Sequence, residues 1–326
     1  MILPYFARLL VLGLASFFLI HTALSLVLIA MRHQVVRLAS SWGPRPATRF
    51  LLGIRLLPTV LAGLAVAGLC VPSYLWLEPD AQPEGVGLWC LSAAILGGVA
   101  WVIAIFRSIN AVARSVRQSH ELKRIGDREI LAHWNAVVIE GCGPVFALAG
   151  VFRPRLFVSR EILAALSDEQ LSSAVQHELA HRASHDNLKR LLMLLVPDVL
   201  PFVHGGRSLD RAWGKFTEWA ADDEAVLGSP GRSVSLATAL VQVARLGVAP
   251  QPLPLATSLL GPDQDLSERV ERLLDAKTSP AQSGHRGVPA AVGIFTVAIT
   301  AASLLSLQSQ QAMLSSVHEL LEKLLR

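Results

Sequence analysis

Apolar positions in this chain do not alternate with polar ones over long stretches; they run on without interruption. No Asp, Glu, Lys or Arg occurs from Leu9 to Met31, from Leu56 to Leu77, from Gly85 to Phe106 or from Val288 to Leu307. About 20 apolar residues in helical conformation cross the hydrocarbon layer of a bilayer. The pattern therefore predicts four transmembrane helices. The first run is too long for a signal peptide and has no small-residue cleavage site behind it, so it reads as a retained span. Leu191 to Val203 is also apolar but short, with Pro197, Asp198 and Pro201 inside it. It reads equally well as a membrane-dipping hairpin or a buried core helix.

Between the third and fourth runs the periodicity changes. Residues 107–130 look helical and basic, continuing the third span out of the membrane. Short β-type runs follow at 136–140, 145–148 and 156–158, broken by Gly141-Cys-Gly-Pro144 and by Arg153-Pro154. They predict a small antiparallel sheet, with 145–148 as the edge to which an extended substrate would add. Ser167 with Gln170 forms a capping-box signature, so a helix should run from Asp168 to about His185. Further helices are predicted at 208–227, stopped by Gly228 and Pro230, and at 267–276. The divisions are a three-span region 1–106, a domain 107–286, a fourth span 287–308 and an amphipathic tail 309–326. The tail's apolar stripe is Met313, Val317, Leu320, Leu321 and Leu324. The fold class is a mainly α membrane protein with an α+β domain inserted between spans three and four.

Charge sets the orientation. Arg32, Arg37, Arg45, Arg49 and Arg55 crowd the first loop, while the second holds Glu78, Asp80 and Glu84 with no Lys or Arg. By the positive-inside rule the first loop and the 107–286 domain are cytoplasmic, and both termini are outside. Composition agrees with a multi-pass inner-membrane protein: 52% of residues are hydrophobic and 17% charged. The net charge of +4 is too small and scattered for direct nucleic-acid binding. Three cysteines exclude a disulfide scaffold. Cys70 and Cys90 lie toward the outer ends of their spans, as a disulfide or as two buried thiols; Cys142 has no evident His partner.

Chemistry concentrates on the capped helix, which carries His177-Glu178-Leu179-Ala180-His181. Histidines at i and i+4 stand on one helical face and can share one metal ion. Glu178 beside them is placed to act as general base toward a water molecule. A hydrolytic zinc site needs a third protein ligand and an open position. The extended form with a downstream glycine and histidine is excluded, since Ser184 and Asn187 occupy those places. Glu218-Trp-Ala-Ala-Asp222 offers the alternative: Glu218 as third ligand to Zn2+, and Asp222 bonded to the far nitrogen of a ligand histidine. His185, Asp186 and Arg269 are candidate site neighbours. No tyrosine lies in the domain, so His204, Arg207, Arg211 and Arg269 remain as oxyanion partners.

Several ordered motifs together resemble a family. The run from Val151 to Arg160, then Leu166-Ser-Asp-Glu-Gln-Leu171, the His177–His181 motif with Asp186, Glu218 with Asp222, and Ser267-Glu-Arg-Val-Glu-Arg-Leu273 are similar to the membrane gluzincin metallopeptidases. That group includes CAAX prenyl proteases, heat-shock membrane proteases and the peptidases of β-lactam sensor-transducers (antirepressors). The resemblance implies a zincin-like fold, one Zn2+ per chain and hydrolysis of a protein or peptide substrate. Three spans, a zinc domain and a fourth span most resemble the sensor-transducers, which implies cleavage of a transcriptional repressor. Too little sequence follows the fourth span for a penicillin-binding sensor, so β-lactam sensing is not carried over. Membrane-protein quality control is an alternative role. A non-catalytic signalling protein with structural zinc is a second class, disfavoured by Glu178. A transporter is a third; only His21 lies deep in a span.

Overall fold

The computed structural model describes residues 4–77, 85–141, 143–198, 205–247, 255–259, 266–275 and 308–325. Among the described residues three helical segments are long and apolar enough to cross a membrane. They are α1 (Tyr5–Ser40), the run α2 (Pro44–Ala65), a π-helical turn (Val66–Cys70) and α3 (Val71–Leu77), and α4 (Leu88–Ile125). α1 packs against both others. Its seam with α4 is lined by small residues, Ala93, Ala94, Gly97, Ala100 and Ala104. A Cβ on Gly97 would lie 2.8 Å from the Leu14 carbonyl oxygen, so that approach requires glycine. Leu96, Val99, Val102, Ile103 and Phe106 are exposed on the same helix, as lipid-facing side chains must be. His21 is buried, 3.2 Å from Thr59. Cys70 and Cys90 are buried free thiols, not a disulfide. The predicted fourth span and the linker before it lie outside the described residues, as does the Cys142 side chain.

α4 runs on past the apolar segment, then stops at Gly126, where a Cβ would come within 2.6 Å of Val137. The basic stretch is therefore not helical to residue 130: Asp127–Leu131 is β1. The sheet continues with β2 (Trp134–Ile139), β3 (Phe146–Ala149), β4 (Arg155–Ser159) and β5 (Ala256–Ser258). Its order is β1-β2-β4-β3-β5. The sheet is mixed rather than antiparallel. β3 and β4 form a hairpin, but the return strand β4 inserts between β2 and β3, so β2 and β4 run parallel. Strands adjacent in sequence are usually adjacent in a sheet, and here β2 and β3 are not. Nor is β3 an edge: β5 pairs on its outer side.

Helices α5 (Arg160–Ala165), α6 (Asp168–Ser184), α7 (Asp186–Leu195), α8 (Gly205–Val226), α9 (Pro230–Arg245) and α10 (Leu266–Leu274) complete this domain. Its core joins Leu148, Leu156 and Val158 of the sheet to Ala174 and Val175 of α6 and Leu236 and Leu240 of α9. In the ambiguous apolar stretch, 191–195 form the end of α7, half-buried rather than a core helix, and Val196 and Pro197 beyond it are buried; 199–203 lie outside the described residues.

α8 is fastened to the membrane helices. Leu209, Trp213 and Phe216 pack with Ala39, Ala47 and Leu51. Arg55 donates to Asp210 at 2.9 Å and to Asp198 at 2.8 Å, and Arg107 donates to Asp198 at 2.8 Å. A C-terminal helix, α11 (Gln308–Leu325), packs at the other end of the bundle. Its Leu321 joins Leu12, Tyr74 and Cys90, and its Leu314 carbonyl accepts from Ser73 at 3.0 Å. Among its described side chains Leu314 and Leu321 are buried, whereas Leu320 of the expected stripe is exposed; the Met313 and Leu324 side chains lie outside the described residues.

Candidate metal centre

The site is built on α6. Its N-terminus is fixed by the expected capping box: Gln170 N donates to Ser167 Oγ at 3.3 Å and Ser167 N donates to Gln170 Oε1 at 3.0 Å. Three turns later His177 and His181 project into the interior, with their Nε2 atoms 3.2 Å apart. Glu218, from the middle of α8, meets both: Oε2 lies 3.4 Å from His177 Nε2 and Oε1 lies 3.6 Å from His181 Nε2. These three ligand atoms lie within 4.8 Å of one another, and all three residues are buried. Zinc bonds of about 2.0–2.2 Å in tetrahedral geometry place neighbouring ligand atoms about 3.3–3.6 Å apart. The imidazole pair and the nearer Glu218 oxygen on each side, at 3.2–3.6 Å, are close to that spacing.

Each histidine is oriented from behind. Asp222, one turn beyond Glu218, has Oδ1 2.9 Å from His177 Nδ1. Asp186 Oδ2 lies 2.8 Å from His181 Nδ1, and its other oxygen accepts from Lys189 Nζ at 2.7 Å. Carboxylates at Nδ1 hold the Nε2 lone pairs toward the shared point. Asp186 reaches back because His185 adopts a left-handed conformation (φ 56°) and reverses the chain between α6 and α7. His185 itself is solvent-exposed and ends the helix; it is not brought to the site.

Arg269 of α10 is a full member of the cluster. Its Nε and Nη2 donate to the two Asp222 oxygens at 3.0 and 2.6 Å, and Nη1 lies 3.3 Å from Glu218 Oε2. This bidentate clamp fixes the carboxylate that orients His177. We expect Arg269→Met to destabilise the fold by about 3–5 kcal/mol, because it strands a buried carboxylate. Denaturant unfolding of the purified protein checks this; an unchanged midpoint would mean that the clamp is dispensable. Among the other oxyanion candidates, Arg211 is exposed, while His204 and the Arg207 side chain lie outside the described residues.

Glu178 stands apart from the ligand triangle. Its Oε2 accepts from Thr257 Oγ1 at 3.0 Å, and its Oε1 is buried without a hydrogen-bond partner. Glu218 Oε2 is likewise buried without a hydrogen-bond partner, with Arg269 Nη1 and His177 Nε2 only in ion-pair range at 3.3 and 3.4 Å. Such oxygens cost about 1–3 kcal/mol each unless a cation or water satisfies them. Two imidazoles and one carboxylate, with no thiolate, form the donor set of a hydrolytic zinc centre. The residues present therefore fit the ion.

The electrostatics agree. Burial alone would lower the His181 pKa, but Glu218 and Asp186 raise it to about 10. Burial would raise Asp222, yet Arg269 and then His177 hold it at about 2. Glu218 is likewise held well below its ordinary value, by His181 above all, against the pull of burial. The pocket thus demands positive charge, and a divalent cation would enter by displacing imidazole protons. Glu178 goes the other way: burial pushes its carboxyl up, past the lowering effect of the two histidines. A carboxyl raised in this way can accept a proton and later return it.

Two contacts escaped the sequence reading. Thr257 lies on a three-residue strand in a Pro- and Leu-rich stretch with no β signature. Arg190 Nη1 donates to the Ala256 carbonyl at 2.8 Å and its Nη2 lies 3.9 Å from Glu218 Oε1. Arg190 is four residues past Asp186 on α7, a face already turned to the site, and that spacing was the available signal.

Residues 107–246 match the model of Peptidase family M48. The matched segment takes in β1 to β4, the histidine helix α6 and Glu218 with Asp222. Comparison with curated proteins gave no match.

Proposed function

We propose, from the premise that residues 107–246 are a peptidase family M48 domain, that this chain is a membrane-bound zinc endopeptidase acting on a cytoplasmic or membrane protein in regulated proteolysis. The match supports a metallopeptidase. One observation carries it: a buried, half-satisfied Glu178 stands beside a His177–His181–Glu218 triangle without joining it.

Bound at that triangle, zinc would supply Lewis acidity toward a scissile carbonyl and lower the pKa of water to about 7. The chain's own residues do the rest. Glu178 Oε1 accepts the proton of the attacking water and hands it to the departing nitrogen. Asp222 and Asp186 keep the imidazoles from rotating, and Arg269 keeps Asp222 in place. These side chains are buried away from bulk water, which strengthens each of these interactions.

The packing supports the topology proposed. α8 docks at the bundle end that carries the arginine-rich first loop, and α11 docks at the opposite end. A chain that joins α10 to α11 has to pass from one end to the other, and Val288 to Leu307 is an uncharged segment of the right length between them. The positive-inside rule then puts the catalytic domain in the cytoplasm and both termini outside. The same order of spans favours cleavage of a repressor-like cytoplasmic protein. The test compares proteomes of cells that carry wild type or Glu178→Gln. The reading predicts a fragment of a cytoplasmic or membrane protein that appears only with wild type; identical fragment sets would overturn it.

A further inference from the structure

A peptidase that receives its substrate as an added strand needs a free strand edge beside its catalytic base. In this chain that place is already filled. β5 lies antiparallel on β3, with Ala147 opposite Ser258, Leu148 opposite Thr257 and Ala149 opposite Ala256. Four further contacts hold the segment. Leu259 N donates to the Phe146 carbonyl at 3.2 Å, and Thr257 Oγ1 donates to Glu178 at 3.0 Å. Arg190 donates to the Ala256 carbonyl at 2.8 Å, and Arg269 donates to the Leu259 carbonyl at 2.9 Å. Both arginines also face Glu218. The segment thus ties the sheet, the base and the ligand carboxylate together.

Resting on the peptidase reading above, we propose that β5 is an internal occupant of the substrate groove: a strap that must leave β3 before a polypeptide can enter. Burial is the first reason. With the strap in place, Thr257, His177 and Glu178 are each 0% exposed, and His181 and Glu218 each 1%. No extended peptide reaches Glu178 past a strand that is hydrogen-bonded to it. Register is the second reason. A substrate strand on β3 would take over the same backbone ladder, and its carbonyl would replace that of Ala256 at Arg190. Strap and substrate are therefore exchangeable, and neither ladder is lost without the other forming.

The third reason is energetic. The three cross-strand pairs contribute about 0.2–1 kcal/mol each, and a substrate strand would replace them and the Arg190 contact in kind, so the exchange costs chiefly the Thr257 and Arg269 bonds. Arg190 keeps 31% of its side chain exposed and stays available to an incoming carbonyl. Opening is then the natural point of control. A substrate that offers a better strand, or a shift of α7 and α10 that withdraws Arg190 and Arg269, would release the groove.

A covalent lock tests this. Ala149 and Ala256 are directly opposite, buried together with Leu122 and Phe157 on the sheet face away from α6. The full chain carrying Ala149→Cys, Ala256→Cys and Cys142→Ser is placed in lipid nanodiscs with zinc, oxidised, and then reduced with a phosphine. Two quantities are read: cleavage of unfolded casein, and binding of a fluorescent peptide hydroxamate by anisotropy. The strap predicts that oxidation weakens both by at least about tenfold, because the open state is no longer populated, and that reduction restores them. Recovery on reduction shows that the variant is folded. Equal binding and cleavage in the oxidised and reduced forms would overturn the strap while leaving the peptidase intact. No binding and no cleavage by the reduced form or its parent would overturn the peptidase reading, and the strap with it.

Discussion

Glu178→Gln should leave a folded protein that still binds one zinc ion and no longer cuts. The substitution keeps the shape of the side chain and can keep the Thr257 contact at its amide oxygen. It removes the carboxylate that, among the described residues, stands beside the ligand triangle with a free oxygen to take a proton from water. Positioned general bases contribute about 10²–10⁴-fold to rate, and a loss of that order in casein cleavage is expected. Metal content, measured by mass spectrometry on the same preparation, should be unchanged, because Glu178 is not a ligand. Cleavage at the wild-type rate would remove Glu178 from the mechanism. Loss of zinc together with activity would mean that it is a ligand after all.

Glu218→Ala should act on the metal instead. Removing a residue that merely supports a ligand typically weakens metal binding about 10–100-fold, so loss of a direct ligand should exceed that range. The damage should also reach the fold. Glu218 is buried between His177, His181 and Arg269, and its removal leaves three cationic or proton-hungry groups facing each other. A destabilisation of about 3–5 kcal/mol is expected from breaking such a buried cluster. The two variants therefore separate cleanly: one keeps metal and stability and loses rate, the other loses all three. Full zinc occupancy in Glu218→Ala would show that another side chain completes the site.

What could be read from the sequence follows from how local each signal is. The histidine pair, its capping box and the Glu218–Asp222 pair are set by spacings of three and four on helices, and α6 and α8 fall close to their expected limits. The three long apolar runs are equally local. Arg269 was visible as a motif residue, though its bidentate hold on Asp222 needed the structure. The strand order was not legible, because β4 sits between β2 and β3 through pairings that no turn residue encodes. β5 was missed for the same reason: Ala256-Thr-Ser258 has no alternation, and it becomes a strand only because β3 offers it a ladder. α9, which closes the core with Leu236 and Leu240, was hidden behind Pro230, read as a stop when it is also a helix start.

The central claim is that a single divalent ion is gripped by His177, His181 and Glu218. Zinc-edge X-ray absorption on the purified full chain tests it most directly. The account predicts one zinc per chain with two imidazole nitrogens and oxygen neighbours at about 2.0–2.2 Å, lost in His177→Ala with His181→Ala. Sulfur in the coordination shell, or an unchanged spectrum in that double variant, would contradict it.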